Sequence, residues 1–121
     1  MKPKILILSD NEIRTELIRT LLAGIDAELR TADTAACFRR QTAQTIYELV
    51  IVLGAAPFLN GSEWVERLRP RLLRRPTIYV LSWQHAEQTV LSLLECGVDQ
   101  YMTLPLNPVR LRAKVIGALM G

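Results

Sequence analysis

The chain has 121 residues, half of them apolar and 22% charged, with a net charge of +3. That length fits one domain, residues 1–121, large enough for a real hydrophobic core. No apolar run approaches the roughly 20 residues that cross a bilayer, so no membrane-spanning segment is expected and the cytoplasm is the expected location. The opening Met1-Lys2-Pro3-Lys4 lacks the apolar segment and cleavage site of a signal peptide. Cys37 and Cys96 have neither the number of a disulfide framework nor metal-ligand spacing, and read as small buried or half-buried thiols.

Strand and helix signals alternate along the chain. Lys4–Leu8 is a continuous apolar run, the pattern of a strand buried on both faces. Asp10 is placed to cap the helix that follows, whose apolar face is Ile13, Leu17 and Leu21 with Ile18 and Leu22 beside them. Gly24 is a natural stop. A weaker strand, Ala27–Thr31, and a helix, Thr34–Gln44, come next, the helix turning Ala35, Phe38 and Cys37 inward. Leu49–Leu53 is the second strongly buried strand.

Gly61–Arg69 is helical, with Trp64, Val65 and Leu68 on one side and Pro70 at its end. Pro76 leads into the buried strand Ile78–Leu81. A helix from about Ala86 to Cys96 carries Val90, Leu93 and Leu94 as its stripe, and Gly97 ends it. Val98–Thr103 is the last strand. Pro108 starts a final helix whose inward positions are Leu111, Val115, Ile116 and Leu119.

Five strand–helix pairs without a linker or repeat predict a doubly wound α/β fold. The expected form is a flavodoxin-like three-layer sandwich, a five-stranded parallel sheet in the order 2-1-3-4-5. Ligands on such folds bind outside the carboxyl ends of the strands. Here those ends are Leu8-Ser9-Asp10, Leu53-Gly54, Ser82-Trp83 and Leu104-Pro105. Arg67, Arg69, Arg71, Arg74 and Arg75 crowd one stretch, but no aromatic is interleaved to stack on bases, so no direct nucleic-acid contact is expected. His85 is the one histidine, and no phosphate loop, Ser–His–Asp set or metal cluster accompanies it.

Four segments in order carry a resemblance. Lys4–Glu12 resembles the opening strand and acidic loop of a bacterial response-regulator receiver domain of the CheY-like superfamily. Tyr47–Gly61 resembles its acceptor strand, followed by a loop punctuated by Pro57 and Gly61. Pro76–Ser82 resembles the strand ending in a switch hydroxyl, and Glu95–Pro105 the final strand and its proline turn. The resemblance covers essentially the whole chain and implies a module of two-component or phosphorelay signalling, not an enzyme in its own right.

Active receivers hold Mg²⁺ with an acidic pair and the acceptor aspartate, and pair the phosphoryl group with a lysine. On this sequence the resemblance puts Ser9 and Asp10 at the acidic pair, Leu53 at the acceptor and Leu104 at the lysine. Magnesium wants hard oxygen ligands in octahedral geometry, so very weak Mg²⁺ binding and no other cofactor are expected. A buried lysine without its carboxylate would be an uncompensated charge, and replacing a buried pair by apolar residues is often neutral or stabilising. Leu53 and Leu104 therefore read as one coordinated change, and the chain as a phosphorylation-independent pseudo-receiver.

Ser82 and Tyr101 match the switch hydroxyl and switch aromatic. In this chain Ser82 is expected to cap a turn or bond Asp10. Trp83 stands where receivers keep a small residue, either covering the pocket or anchoring an interface. Pro105 is expected in the cis form that is common at the proline turn. The face of the last two helices and the strand between them, with Glu87, Thr89, Leu91, Asp99, Gln100, Arg110 and Lys114, is the expected surface for a protein partner or homodimer. Receivers often join an output domain where this sequence ends at Gly121, so a free-standing adaptor and the input module of a longer regulator both stay open. Two other functions stay open: a small-ligand sensor using the vacated pocket, and a residual phosphoacceptor at Ser9 or Asp10.

Overall fold

The computed structural model describes residues 2–9, 11–53, 76–82, 91, 94, 97–103 and 107–120. Among the described residues the elements in order are β1 (Lys4–Ser9), α1 (Glu12–Leu21), β2 (Glu28–Ala32), α2 (Ala35–Gln44), β3 (Leu49–Leu53), β4 (Thr77–Ser82), β5 (Gln100–Thr103) and α3 (Pro108–Met120). The strands form one parallel sheet in the order β2-β1-β3-β4-β5, the predicted topology.

Strand alternation divides the core into two layers. Leu6, Leu8, Val50, Val52, Ile78 and Val80 face one side, where Phe38 of α2 packs on them. Ile5, Ile7, Leu49, Ile51, Tyr79 and Leu81 face the other, covered by Ile18 of α1 and by Leu111 and Val115 of α3. The three central strands are buried over almost their whole length, which is why they read as unbroken apolar runs in the sequence.

Several boundaries and faces differ from the sequence expectation. β2 starts and ends one residue later than Ala27–Thr31, because Glu28 rather than Ala27 enters the ladder opposite Lys4. Asn11, not Asp10, caps α1: its Oδ1 accepts from the Arg14 N–H at 2.9 Å. Thr34 lies outside α2 as its cap, accepting from the Cys37 N–H at 3.1 Å. β5 begins at Gln100 rather than Val98, since Val98 is buried in the approach to the strand.

On α1, Ile18 and Leu22 carry the burial, while Ile13 and Leu17 are 83% and 51% exposed. On α3, Leu111 and Val115 turn inward, but Ile116 is exposed and Leu119 only half-buried. Leu94, expected in an inward stripe, is exposed as well. Cys37 is half-buried as expected. The expected helix 61–69, with Trp64, Val65 and Leu68, lies outside the described residues, as do the Arg67–Arg75 cluster, His85, Val90, Leu93, Cys96 and the side chain of Ala35.

The ends of α1 are built by distinct devices. At its C-terminus Gly24 adopts φ +87°, a left-handed conformation that side chains other than glycine resist. The last carbonyls of a helix have no partner inside it. Here Arg112 of α3 supplies one: its Nη1 donates to the Leu21 carbonyl at 2.9 Å and the Ala23 carbonyl at 2.7 Å. A cation there also opposes the negative end of the helix dipole.

Candidate functional site

The carboxyl ends of the strands lie side by side. Ser9 is opposite Leu53 across the β1–β3 ladder. Leu53 is in turn opposite Leu81, and Ser82 opposite Thr103. These ends are sealed: Leu53 is 2% exposed, Ser9 4% and Ser82 0%. Leu53 belongs to the apolar cluster on the α1 and α3 side, so its side chain fills core space.

The Ser9 hydroxyl is engaged locally. Its Oγ accepts from the Asn11 N–H at 3.1 Å and donates to the Asn11 carbonyl at 3.2 Å. Thr15 Oγ1 donates to that same carbonyl at 3.0 Å. The turn from β1 into α1 is thus held by a serine hydroxyl, an asparagine cap and a threonine hydroxyl. Asp10 lies outside the described residues, and so does any bond from Ser82 to it. Leu104, Trp83 and Pro105 are outside them too, and with Pro105 the expected cis peptide.

A cleft of about 530 Å³ opens beside Ser9, between α1 and the end of β2, lined by Glu12, Thr15, Glu16, Arg19, Thr31 and Asp33. Its acids do not converge: among the described residues no group of three His, Cys, Asp or Glu side chains is arranged to hold a metal. Glu16 pairs with Arg19 at 3.7 Å on the surface.

Of the expected interface residues, Asp99 precedes β5, Gln100 begins it, and Arg110 and Lys114 lie on α3. Asp99 ties the entrance of β5 to β4: its N–H donates to the Ile78 carbonyl at 2.8 Å, and its Oδ2 accepts from the Ile78 N–H at 2.8 Å. Lys114 Nζ donates to Gln100 Oε1 at 3.2 Å. Arg110 is exposed on the first turn of α3, where Asn107 caps the helix by accepting from the Arg110 N–H at 3.1 Å. Leu91 is 48% exposed. Glu87 and Thr89 lie outside the described residues. Tyr101 is half-buried against the α2-side cluster.

Tyr79 was not singled out by its sequence, which places it in an ordinary buried strand. It is 5% exposed, and its hydroxyl donates to the Lys114 carbonyl in the middle of α3 at 2.9 Å. Burial raises the pKa of the phenol above its ordinary value, with a smaller push from the negative charge of Asp99. Arg112 was equally silent. A cation within a helix gives no sequence signal that it will reach carbonyls 89 and 91 residues away.

The same architecture recurs in solved receiver structures. A CheY-like response regulator receiver domain protein from Methanospirillum hungatei superposes with a TM-score of 0.84, at 22% identity, over 99% of this chain and 95% of that one. This chain has the fold of a response-regulator receiver domain. Two regulators match it by sequence. The transcriptional regulatory protein KdpE of Staphylococcus aureus is 30% identical over 117 residues, 95% of this chain and 49% of that protein. The alkaline phosphatase synthesis transcriptional regulatory protein PhoP of Bacillus subtilis is 28% identical over 115 residues, 95% of this chain and 48% of its own length. The receiver-like domain therefore spans about half the length of these relatives. No family model matches the chain.

Proposed function

We propose that this receiver-like domain is a module of two-component signalling that works without aspartyl phosphorylation, through binding to a protein partner or a second copy. The observation that carries the reading is Leu53. It stands at the carboxyl end of β3, where the resemblance puts the acceptor, and it is 2% exposed within an apolar cluster. A leucine side chain accepts no phosphoryl group and binds no metal. The resemblance leaves Mg²⁺ a poor donor set: Ser9, whose hydroxyl is already bonded to Asn11, Leu53 itself, and Asp10 as the one acid of the pair. Magnesium requires several hard oxygens in near-octahedral array, so its binding here is very weak.

The deciding experiment is incubation with acetyl phosphate and Mg²⁺ followed by intact mass spectrometry. The mass stays unchanged on this reading. A stoichiometric phosphoryl adduct overturns it, and Asp10→Ala and Ser9→Ala variants then assign the acceptor.

The partner surface is the face that joins β5 to its flanking helices. It carries Leu91, 48% exposed, and the pair Lys114–Gln100, with Arg110 exposed on α3. Exposed ion pairs contribute only about 0–1 kcal/mol each, so apolar contact at Leu91 and its neighbours supplies the affinity. Leu91→Glu is expected to abolish association measured by sedimentation while leaving the melting temperature unchanged. A second reading, a small-ligand sensor, moves from the vacated pocket, where Leu53 is packed in the core, to the cleft of about 530 Å³ between α1 and the end of β2. That volume falls within the usual range of ligand pockets, and a metabolite thermal-shift screen tests it.

A further inference from the structure

At the amino ends of the strands, away from the carboxyl end that carries Leu53, the ends of α1 and α3 border a second recess. It has a volume of about 320 Å³ and is lined by Arg112 and Asp26 together with Ile25, Ile116, Leu119 and Met120. Its rim is open: Met120 is 82% exposed and Ile116 37%. The floor carries a guanidinium. Arg112 spends Nη1 on the Leu21 and Ala23 carbonyls. No hydrogen bond from its Nε or Nη2 is found among the described residues. Nη2 lies 3.4 Å from where a side-chain carbon on Gly24 would stand, so the missing side chain keeps that nitrogen approachable. The nearby carboxylate, Asp26, is paired with Lys2 at 3.4 Å. Arg112 and Asp26 are the two charged residues that line the recess, and among the described residues only Asp26 has a salt-bridge partner.

We propose that this recess is a docking site for a partner's peptide segment in which an acidic residue is flanked by apolar ones. The carboxylate meets the Nε and Nη2 donors of Arg112, and the flanking aliphatic side chains cover Ile116, Leu119 and Met120. Charge complementarity selects the acid: arginine presents a planar fork that fits a carboxylate, and a charge-assisted bond of this kind is stronger than a neutral one. The clamp on α1 holds the guanidinium in place before the partner arrives, which limits the ordering cost of binding. The open rim favours a macromolecular partner, whose own surface covers Met120, over a small enclosed acid. This site is separate from the face proposed above and does not depend on the chemistry at Leu53.

The test is an NMR titration of the full chain with two capped peptides, acetyl-Glu-Leu-Leu-Glu-Leu-amide and its counterpart with glutamine in place of glutamate. The acidic peptide is expected to give saturable shifts at the Gly24 and Ile25 amides and the Met120 methyl, and to bind about tenfold tighter than the glutamine peptide. Arg112→Gln is expected to erase that difference. Met120→Asp, which leaves the clamp in place, is expected to weaken the acidic peptide at least as much. Equal binding of the two peptides, shifts elsewhere, or no saturable shift overturns the proposal. Shifts at the same residues on raising the protein concentration alone assign the recess to a second copy and overturn it too.

Discussion

Ser9 and Leu53 are partners in register across the β1–β3 ladder, and the polar member of the pair turns its hydroxyl to Asn11 while the apolar member packs into the core. A carboxylate at position 53 would enter an apolar environment with no cation among the described residues beside it. An uncompensated buried charge costs about 3–5 kcal/mol. Leu53→Asp is therefore expected to lower stability by about that amount in urea denaturation at pH 7, with part of the loss recovered at pH 4 as the carboxyl takes up a proton. Adding Leu104→Lys is expected to restore part of it at pH 7, and a double-mutant cycle measures the coupling. A Leu53→Asp protein that melts like the parent contradicts the packed role of this leucine.

The sequence showed the central strands because burial on both faces leaves little room for polar residues. β1, β3 and β4 are near-continuous runs of Ile, Leu and Val. β2, at the sheet edge and only partly buried, carries a mixed pattern, and its expected bounds fell one residue early. α1 shows why a period does not identify a face. Ile13, Leu17 and Leu21 form one stripe, Ile18 and Leu22 another, and only contact with the sheet decides that the second is the deeper. At the candidate site a residue type can be read directly, so Leu53 stood out. Links between distant elements, such as Tyr79 to Lys114 and Arg112 to Leu21, depend on which turns of α3 meet β4 and α1, and no local pattern encodes that.

Tyr79 makes stability depend on alkaline pH. Burial raises its folded pKa above the ordinary value, and Asp99 adds to the shift, so the folded state keeps its proton to higher pH than the unfolded chain. The resulting stabilisation is fully present below the unfolded tyrosine pKa of about 10 and is lost as the pH rises from there through the folded value. Tyr79→Phe removes both the titration and the hydrogen bond to the Lys114 carbonyl, which is worth about 0.5–1.5 kcal/mol. In urea denaturation between neutral pH and pH 11 the variant is expected to start lower and fall less steeply over the alkaline limb. Parallel curves assign the limb to other groups.

Gly24 and Arg112 act on the same end of α1, one through the backbone and one through the carbonyls. A side chain at Gly24 must adopt φ +87° and sits 3.4 Å from Arg112 Nη2. Gly24→Ala is expected to cost about 1–2 kcal/mol, the usual penalty for an L-residue in the left-handed region. Arg112→Ala strips two carbonyls of a charged donor and removes a stem packed beside α1. Hydrogen exchange is expected to show lost protection in the last turn of α1 and the middle of α3 together, with β3 unchanged. Loss in α3 alone contradicts the bridge between the helices.

Asn11 starts α1 directly at the sealed strand ends, so its cap joins helix stability to the shape of the candidate site. Its Oδ1 satisfies the Arg14 N–H, and its carbonyl receives both the backbone N–H and the Oγ1 of Thr15. Replacing an asparagine cap by alanine costs about 0.5–2 kcal/mol, whereas aspartate keeps the acceptor and adds a charge that suits the helix N-terminus. Asn11→Ala is expected to lose stability in that range and Asn11→Asp to match the parent or exceed it slightly. Thr34→Ala provides the comparison, because the same kind of cap starts α2 away from Leu53. If the cap at Asn11 shapes the strand ends as well as the helix, Asn11→Ala will shift the Ser9 and Leu53 amides in an NMR spectrum, and Thr34→Ala will leave them where they are. Identical responses of those two amides to both variants would reduce Asn11 to a helix cap alone.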